Sequence, residues 1–261
     1  MSDIRFDHIA IAVRRIADAP AFLVGELGGT PHAGRSTGGA FIWGAWRFEG
    51  GGKLEILEPH GPDGFLHRFL ARHGPGIHHV TFKVPSLAEA CERARARGYS
   101  IVGYDDSDPS WKEAFLHPKE ALGIVVQFAE AHRPPDGAPV RAWPPLGPPD
   151  PLPPVTVLGL RLRARSPERA RRQWAEVVGG EETAGADGTL IYRWPRAPMR
   201  IAVEIDPASP EGPVGIELMS RRPLDLPKGP HPVLGAVFLQ VEPSAPRLST
   251  SGPRPAGGPG A

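Results

Sequence analysis

The chain repeats one pattern of short elements, and a repeat restricts the fold more tightly than any single motif. Residues 6–13 (FDHIAIAV) form a short apolar run suited to a strand. A helix is expected over 18–27, with Pro20 near its start, Leu23 and Leu27 one turn apart, and Gly28 and Gly29 as its stop. Strands follow near 41–48 and 53–58, divided by the Gly50-Gly51-Gly52 turn, and Pro59 with Gly61 ends the unit. An amphipathic helix over 65–72 then leads to a restart. Residues 77–84 (IHHVTFKV) form a strand, Ser86 and Glu89 make a capping box for a helix over 87–97, and Gly98 stops it. Strands near 99–104, 112–117 and 123–128 complete a second β-α-β-β-β unit.

A third copy begins at 155–164. Ser166 and Pro167 open a helix that carries Ala170, Trp174, Val177 and Val178 on one stripe, and Gly179 with Gly180 ends it. Strands near 189–194, 199–205 and 214–219 follow. Residues 233–241 read as the first strand of a fourth copy that does not continue. Prolines are unevenly placed: of the 33, ten fall within 132–154 and five within 243–261. The expected organisation is a two-unit domain over 1–131, a stiff Pro-rich linker over 132–154, a degenerate unit with one extra strand over 155–242, and a disordered tail over 243–261. The fold class is α+β: paired β-α-β-β-β units forming a curved mixed sheet, with the degenerate unit after it.

Thirty basic residues against 29 acidic ones give a net charge of +1, so nucleic acid and anionic membranes are not expected partners. Cys91, the single cysteine, excludes an intramolecular disulfide and reads as a small buried helix residue. No basic-then-apolar leader and no apolar run of about 20 residues is visible, so a cytoplasmic protein is expected.

Strand alternation places the polar residues. In the first strand Ile9, Ile11 and Val13 share the face expected to meet the helices, while His8, Ala10 and Ala12 share the other. In the second unit Val80, Phe82 and Val84 face the helices, and His79, Thr81 and Lys83 face away. Glu55 and Gln127 take matching positions on the last strands of the two units. Each unit thus offers one histidine and one oxygen donor on the same inner face. Two imidazoles, a carboxylate and an amide oxygen suit a divalent ion such as Co, Ni, Zn, Mn or Fe, with positions left for a chelating substrate. His60, His67, His73, His78 and His231 are read as ordinary histidines. Asp105, Asp106, Asp108, Trp111, Lys112 and Glu113 make either a substrate mouth or a polar turn.

The segments FDHIAIAV (6–13), KLEILEP (53–59), GPGIHHVTFKV (74–84) and AFLHPKEALGIVVQF (114–128) resemble the vicinal oxygen chelate superfamily. This group of paired β-α-β-β-β proteins includes glyoxalase I, methylmalonyl-CoA epimerase, extradiol dioxygenases and bleomycin-resistance proteins. The resemblance covers residues 5–130 and is nearest the epimerase-like branch. It implies metal ligands at His8, Glu55, His79 and Gln127. The branch carries a glutamate where this chain has Gln127, and a neutral amide is no base. Its other proton-transfer group falls on the middle strand of the first unit, which here reads FIWGAWRFE with no inner carboxylate before Glu49.

Glu55 is therefore the expected catalytic group, as ligand and base in turn. The implied function is a metal-dependent isomerase or lyase acting on a proton α to a carbonyl or thioester, with an acyl-CoA or a hemithioacetal as small-molecule substrate. The alternatives are a non-haem ring-cleaving dioxygenase and a small-molecule-binding protein of the drug-resistance type. In the third copy Gly159 is expected opposite His8, Glu217 opposite Glu55 and Ala236 near His79, which leaves one donor and no metal site. The sheet edge left by its missing strands leads us to expect a homodimer.

Overall fold

The computed structural model describes residues 3–36, 40–131, 154–185 and 187–242. Apart from Pro154, the stretch expected as a linker and the tail expected to be disordered lie outside these residues. The first sheet holds β1 (Arg5–Ala12), β2 (Thr30–Ser36), β3 (Phe41–Arg47), β4 (Lys53–Pro59), β5 (Gly76–Lys83), β6 (Ile101–Asp105), β7 (Trp111–Leu116) and β8 (Val125–Ala131). Its order is β2-β3-β4-β1-β5-β8-β7-β6. β1 and β5 lie antiparallel at the centre, and each runs parallel to the last strand of its own unit, β4 and β8. This is the arrangement of two β-α-β-β-β units about a pseudo-twofold axis.

The alternating sequence decides which face meets the core. Ile9, Ile11, Val80 and Phe82 are fully buried beneath α1 (Pro20–Leu23) and α3 (Leu87–Ala96) or against the second sheet. α3 starts where the Ser86 hydroxyl accepts from Glu89 N–H at 3.2 Å, and it turns Ala90, Cys91 and Ala94 inward. The opposite, concave face is closed at one end by α2 (Phe65–His73). Leu66 and Leu70 of α2 pack with Ala10, Ala12, Leu57, Phe41 and Trp43 as a small separate core.

The second sheet comprises β9 (Thr156–Ala164), β10 (Glu181–Ala184), β11 (Leu190–Arg193), β12 (Arg200–Ile205), β13 (Gly212–Met219) and β14 (Phe238–Gln240), in the order β10-β11-β12-β9-β13-β14. Its helix runs as α4 (Pro167–Arg171) and widens into a π-turn over Arg172–Val177, which carries the fully buried Gln173 and Trp174. One aromatic cluster joins the two sheets: Phe82 lies 4.9 Å from Phe6, 4.7 Å from Trp194 and 6.0 Å from Trp174, centroid to centroid. Truncating so large a core residue costs about 3–5 kcal/mol.

Three expectations need correction. β2 was not expected, because Pro31 and Gly34 argue against a strand; it survives at the sheet edge, where a missing N–H is tolerated. The helix expected over 18–27 is α-helical only from Pro20 to Leu23 and then loosens into turns, with Gly25 and Leu27 bonding carbonyls five residues back. The third copy was also misassigned. β10, a wholly exposed edge strand (EETA), completes that unit together with β11 and β12. β13 therefore opens the fourth unit, antiparallel to β9 as β5 is to β1. β14 is the fourth unit's last strand, parallel to β13, and spans three residues of the expected 233–241.

Candidate metal centre

Two β-bulges build the centre. The β1–β5 register slips at Asp7 in β1 and at His78 in β5, so each central strand carries its candidate histidine directly after a bulge. The bulged residue then backs the histidine. Asp7 Oδ2 lies 2.8 Å from His8 Nδ1, and His78 Nδ1 lies 2.9 Å from His79 Nδ1. Held at Nδ1, the His8 ring presents Nε2 to the concave face, 3.5 Å from Glu55 Oε1 and 2.9 Å from Thr81 Oγ1. Ligand atoms of His8, Glu55 and His79 all lie within 4.8 Å of one another.

Gln127 joins them through its neighbours. The Thr81 hydroxyl donates to Gln127 Oε1 at 2.5 Å, and Gln127 Nε2 donates to Glu113 Oε2 at 2.7 Å. Glu113 also accepts from Trp111 Nε1 at 2.8 Å. The amide is thus held by its nitrogen end, with its oxygen toward the centre. The structure brings His8, Glu55, His79 and Gln127 to one place. Sequence reasoning missed Asp7 and Thr81 as part of it, although Thr81 shares the inner face two residues from His79. From the sequence Glu113 is expected in a substrate mouth or a polar turn, and not as a partner of Gln127.

The electrostatics fit a cation. Burial works against the charged form of His8, but the Glu55 carboxylate and the Asp7 hydrogen bond outweigh it and hold its pKa above the ordinary value. His79 is pushed well down by burial and by His78 and His8, which keeps it neutral and fit to donate a lone pair. Asp7 is itself buried, yet His8 and Lys53 keep it well below the ordinary carboxylate range, and Lys53 Nζ sits 2.5 Å from Asp7 Oδ2. A histidine whose second nitrogen is held by a carboxylate is the usual outer support of a metal ligand. Two imidazoles, a carboxylate and an amide oxygen on this floor match a divalent transition ion.

The surroundings divide by chemistry. Lys83 Nζ lies 3.4 Å from the Trp111 ring centroid, and burial pulls its pKa down to about 8. Asp105 and Asp108 bond Ser107 and Ser110 as polar turns, and Lys112 pairs with Glu130. Of that loop, Trp111 and Glu113 reach the centre's neighbours. The His117 ring accepts from Lys119 N–H in a turn.

The second sheet shows why the fold alone makes no such centre. Its bulges fall at Leu158 and Val214, so the strand register puts Gly159 at the His8 position and Gly215 at the His79 position. Ala202 and Leu239 take the Glu55 and Gln127 positions. None offers a side-chain donor. A Cβ at Gly159 would lie 1.8 Å from the Arg200 carbonyl oxygen, so no side chain fits there. Glu217, expected opposite Glu55, stands instead at the Thr81 position. It is fully buried and gripped by Arg161 and Arg200 at 2.7 Å each. An internal ion network fills the place that the candidate ligands take in the first sheet.

Residues 7–115 match the family described as Glyoxalase/Bleomycin resistance protein/Dioxygenase superfamily. The protein YqjC of Bacillus subtilis is 30% identical over 128 residues, covering 48% of this chain and 91% of its own length. The ethylmalonyl-CoA/methylmalonyl-CoA epimerase of Cereibacter sphaeroides is 28% identical over 133 residues, covering 48% of this chain and 97% of its own. A mutant 4-hydroxymandelate synthase from Streptomyces coelicolor shares the fold at 15% identity and a TM-score of 0.58, over 84% of this chain and 71% of that one. Among the described residues no helix is long and apolar enough to cross a membrane.

Proposed function

Because the chain belongs to the glyoxalase/bleomycin resistance/dioxygenase superfamily, we propose that it is a metal-dependent isomerase or lyase that moves a proton α to a carbonyl or thioester. His8, Glu55, His79 and Gln127 would hold the ion, and residues 1–131 would carry the chemistry. The observation behind this reading is the convergence of His8, Glu55 and His79 within 4.8 Å on a mostly buried floor. The ion would supply Lewis acidity to the substrate's carbonyl oxygen.

The chain's own groups do the rest. Asp7 fixes the His8 ring. Glu55 would take the proton from the α-carbon and return it to the enolate carbon, the role left to it because the inner positions of β3 are Trp43, Ala45 and Arg47 and none is acidic. Gln127 binds without titrating. Leu57, Trp43 and α2 keep water from one end of the concave face. An acyl-CoA or a hemithioacetal is the substrate class. Residues 155–242 cover the convex side and support a homodimer through the short edge strand β14, which a measured mass in solution would check.

The test is exchange in D₂O. Protein loaded with Co, Ni, Zn, Mn or Fe should place deuterium at C2 of methylmalonyl-CoA, or at the α-carbon of the thioester formed from a hemithioacetal, and Glu55→Gln should abolish it. No exchange with any loaded ion across both substrate types would sink this reading. A second reading, a ring-cleaving dioxygenase, draws on the two histidines and one carboxylate, the residue set of non-haem iron oxygenases. Oxygen uptake with catechols and iron, without exchange, would select it.

A further inference from the structure

A cleft of about 270 Å³ opens where the end of the first sheet meets the second. Arg5, Arg47, Lys53 and Arg196 line it, with Asp7 as the one carboxylate among the lining residues. Lys53 is paired to Asp7, and Arg196 lies 3.3 Å from the exposed Asp3. Among the described residues neither Arg5 nor Arg47 has a carboxylate partner. Four cations gathered around one acid repel each other unless an anion joins them. The field reaches beyond the cleft: Arg47 and Lys53 add to burial in lowering the pKa of His32.

The cleft is shaped by backbone as well as charge. The Gly50-Gly51-Gly52 turn docks on the start of β9: Val157 N–H donates to Gly51 O at 2.9 Å, and the Thr156 hydroxyl donates to Gly50 O at 2.9 Å. Gly51 and Gly52 have φ of 109° and 91°, and a Cβ on them would lie 2.9 Å from Pro198 Cβ and 2.5 Å from Val157 O. Only glycine allows this approach, and the approach brings Arg196 beside Arg47 and Lys53. The cleft is therefore a joint product of the two sheets, preformed rather than waiting for a ligand to assemble it.

We propose that this cleft is a binding site for a diphosphate group, in which Arg5, Arg47, Lys53 and Arg196 take the phosphate oxygens. The excess of three positive charges among the lining residues matches a diphosphate better than a single carboxylate, and arginine forks suit phosphate geometry. The site also touches the metal centre. Lys53 lies two residues before Glu55 on the same face of β4, roughly 7 Å along the strand. Asp7, which lines the cleft, holds the His8 ring. The diphosphate arrives either free or as part of the tail of an acyl-thioester substrate.

The proposal is tested by calorimetric titration of the full chain with inorganic pyrophosphate in EDTA, so that the metal centre plays no part. Wild-type protein should bind one pyrophosphate, and binding should weaken as salt rises. Arg47→Gln combined with Arg196→Gln should weaken it at least tenfold while Arg15→Gln, exposed beyond the other end of β1, leaves it intact. Unchanged circular dichroism keeps a folding defect out of the comparison. Competition by coenzyme A would identify the substrate tail as the source of the phosphate; pyrophosphate binding without such competition would identify a free diphosphate. No saturable binding, equal binding by the double variant, or malonate binding as tightly as pyrophosphate would overturn the proposal. Loss of metal binding alone would not touch it.

Discussion

Asp7 Oδ2 and His8 Nδ1 stand 2.8 Å apart, adjacent in sequence and turned toward each other by a bulge. That contact fixes which imidazole nitrogen faces the concave floor. Asp7→Ala should therefore weaken divalent-ion binding by about 10–100-fold, the usual effect of removing an outer carboxylate from a ligand histidine. Titration with Co²⁺ reads this directly; wild-type affinity in the variant would show that the ring is positioned by something else.

Gln127 and Glu113 form a second such pair at 2.7 Å. Gln127→Glu sets two carboxylates together, and unit charges at about 4 Å repel by roughly 4 kcal/mol at an effective dielectric of 20. One of the pair should then hold its proton far above the usual range. Metal binding by this variant should become steeply pH-dependent between about pH 5 and 8. Adding Glu113→Gln should restore the hydrogen bond and flatten the profile. A flat profile in the single variant would contradict the geometry.

Lys83 carries its charge into a half-buried site, and its folded pKa of about 8 lies below its ordinary value. The unfolded chain thus binds more protons between the two values, so stability rises with pH across that window. Below about pH 8 the full penalty is present. Lys83→Met should stabilise the protein at pH 7 and reduce the gain seen between pH 8 and 10 in urea denaturation. A destabilised variant at pH 7 would mean that the contact with Trp111 outweighs the burial.

Glu217 tests the second sheet. With its carboxylate buried between Arg161 and Arg200, Glu217→Ala should cost about 3–5 kcal/mol, as expected when one member of a buried ion network is removed. The urea midpoint should fall while Co²⁺ stoichiometry at the first sheet stays the same. A loss of metal without a loss of stability would contradict the structural role.

Much of this was legible in the residues. Period-two alternation in β1 and β5 put His8 and His79 on one face, and the matched last strands supplied Glu55 and Gln127. What escaped the sequence had physical causes. β2 is rich in turn formers and β10 buries nothing, so neither edge strand leaves a hydrophobic signature. Missing β10 shifted every later strand by one place and set Glu217 against Glu55 instead of Thr81. The bulges were equally silent, because a one-residue slip shows only when partner strands are paired. Yet those bulges turn Asp7 and His78 onto the rings of His8 and His79.

The proposed centre would hold one divalent ion on His8, Glu55, His79 and Gln127 of the first sheet. Metal analysis of the purified protein, after loading with Co²⁺ and removal of excess, tests it most directly. One ion per chain is expected in the wild type and little or none in His8→Ala and His79→Ala, with both variants folded. A wild-type protein that retains no ion, or variants that keep it at full stoichiometry, would rule this metal centre out.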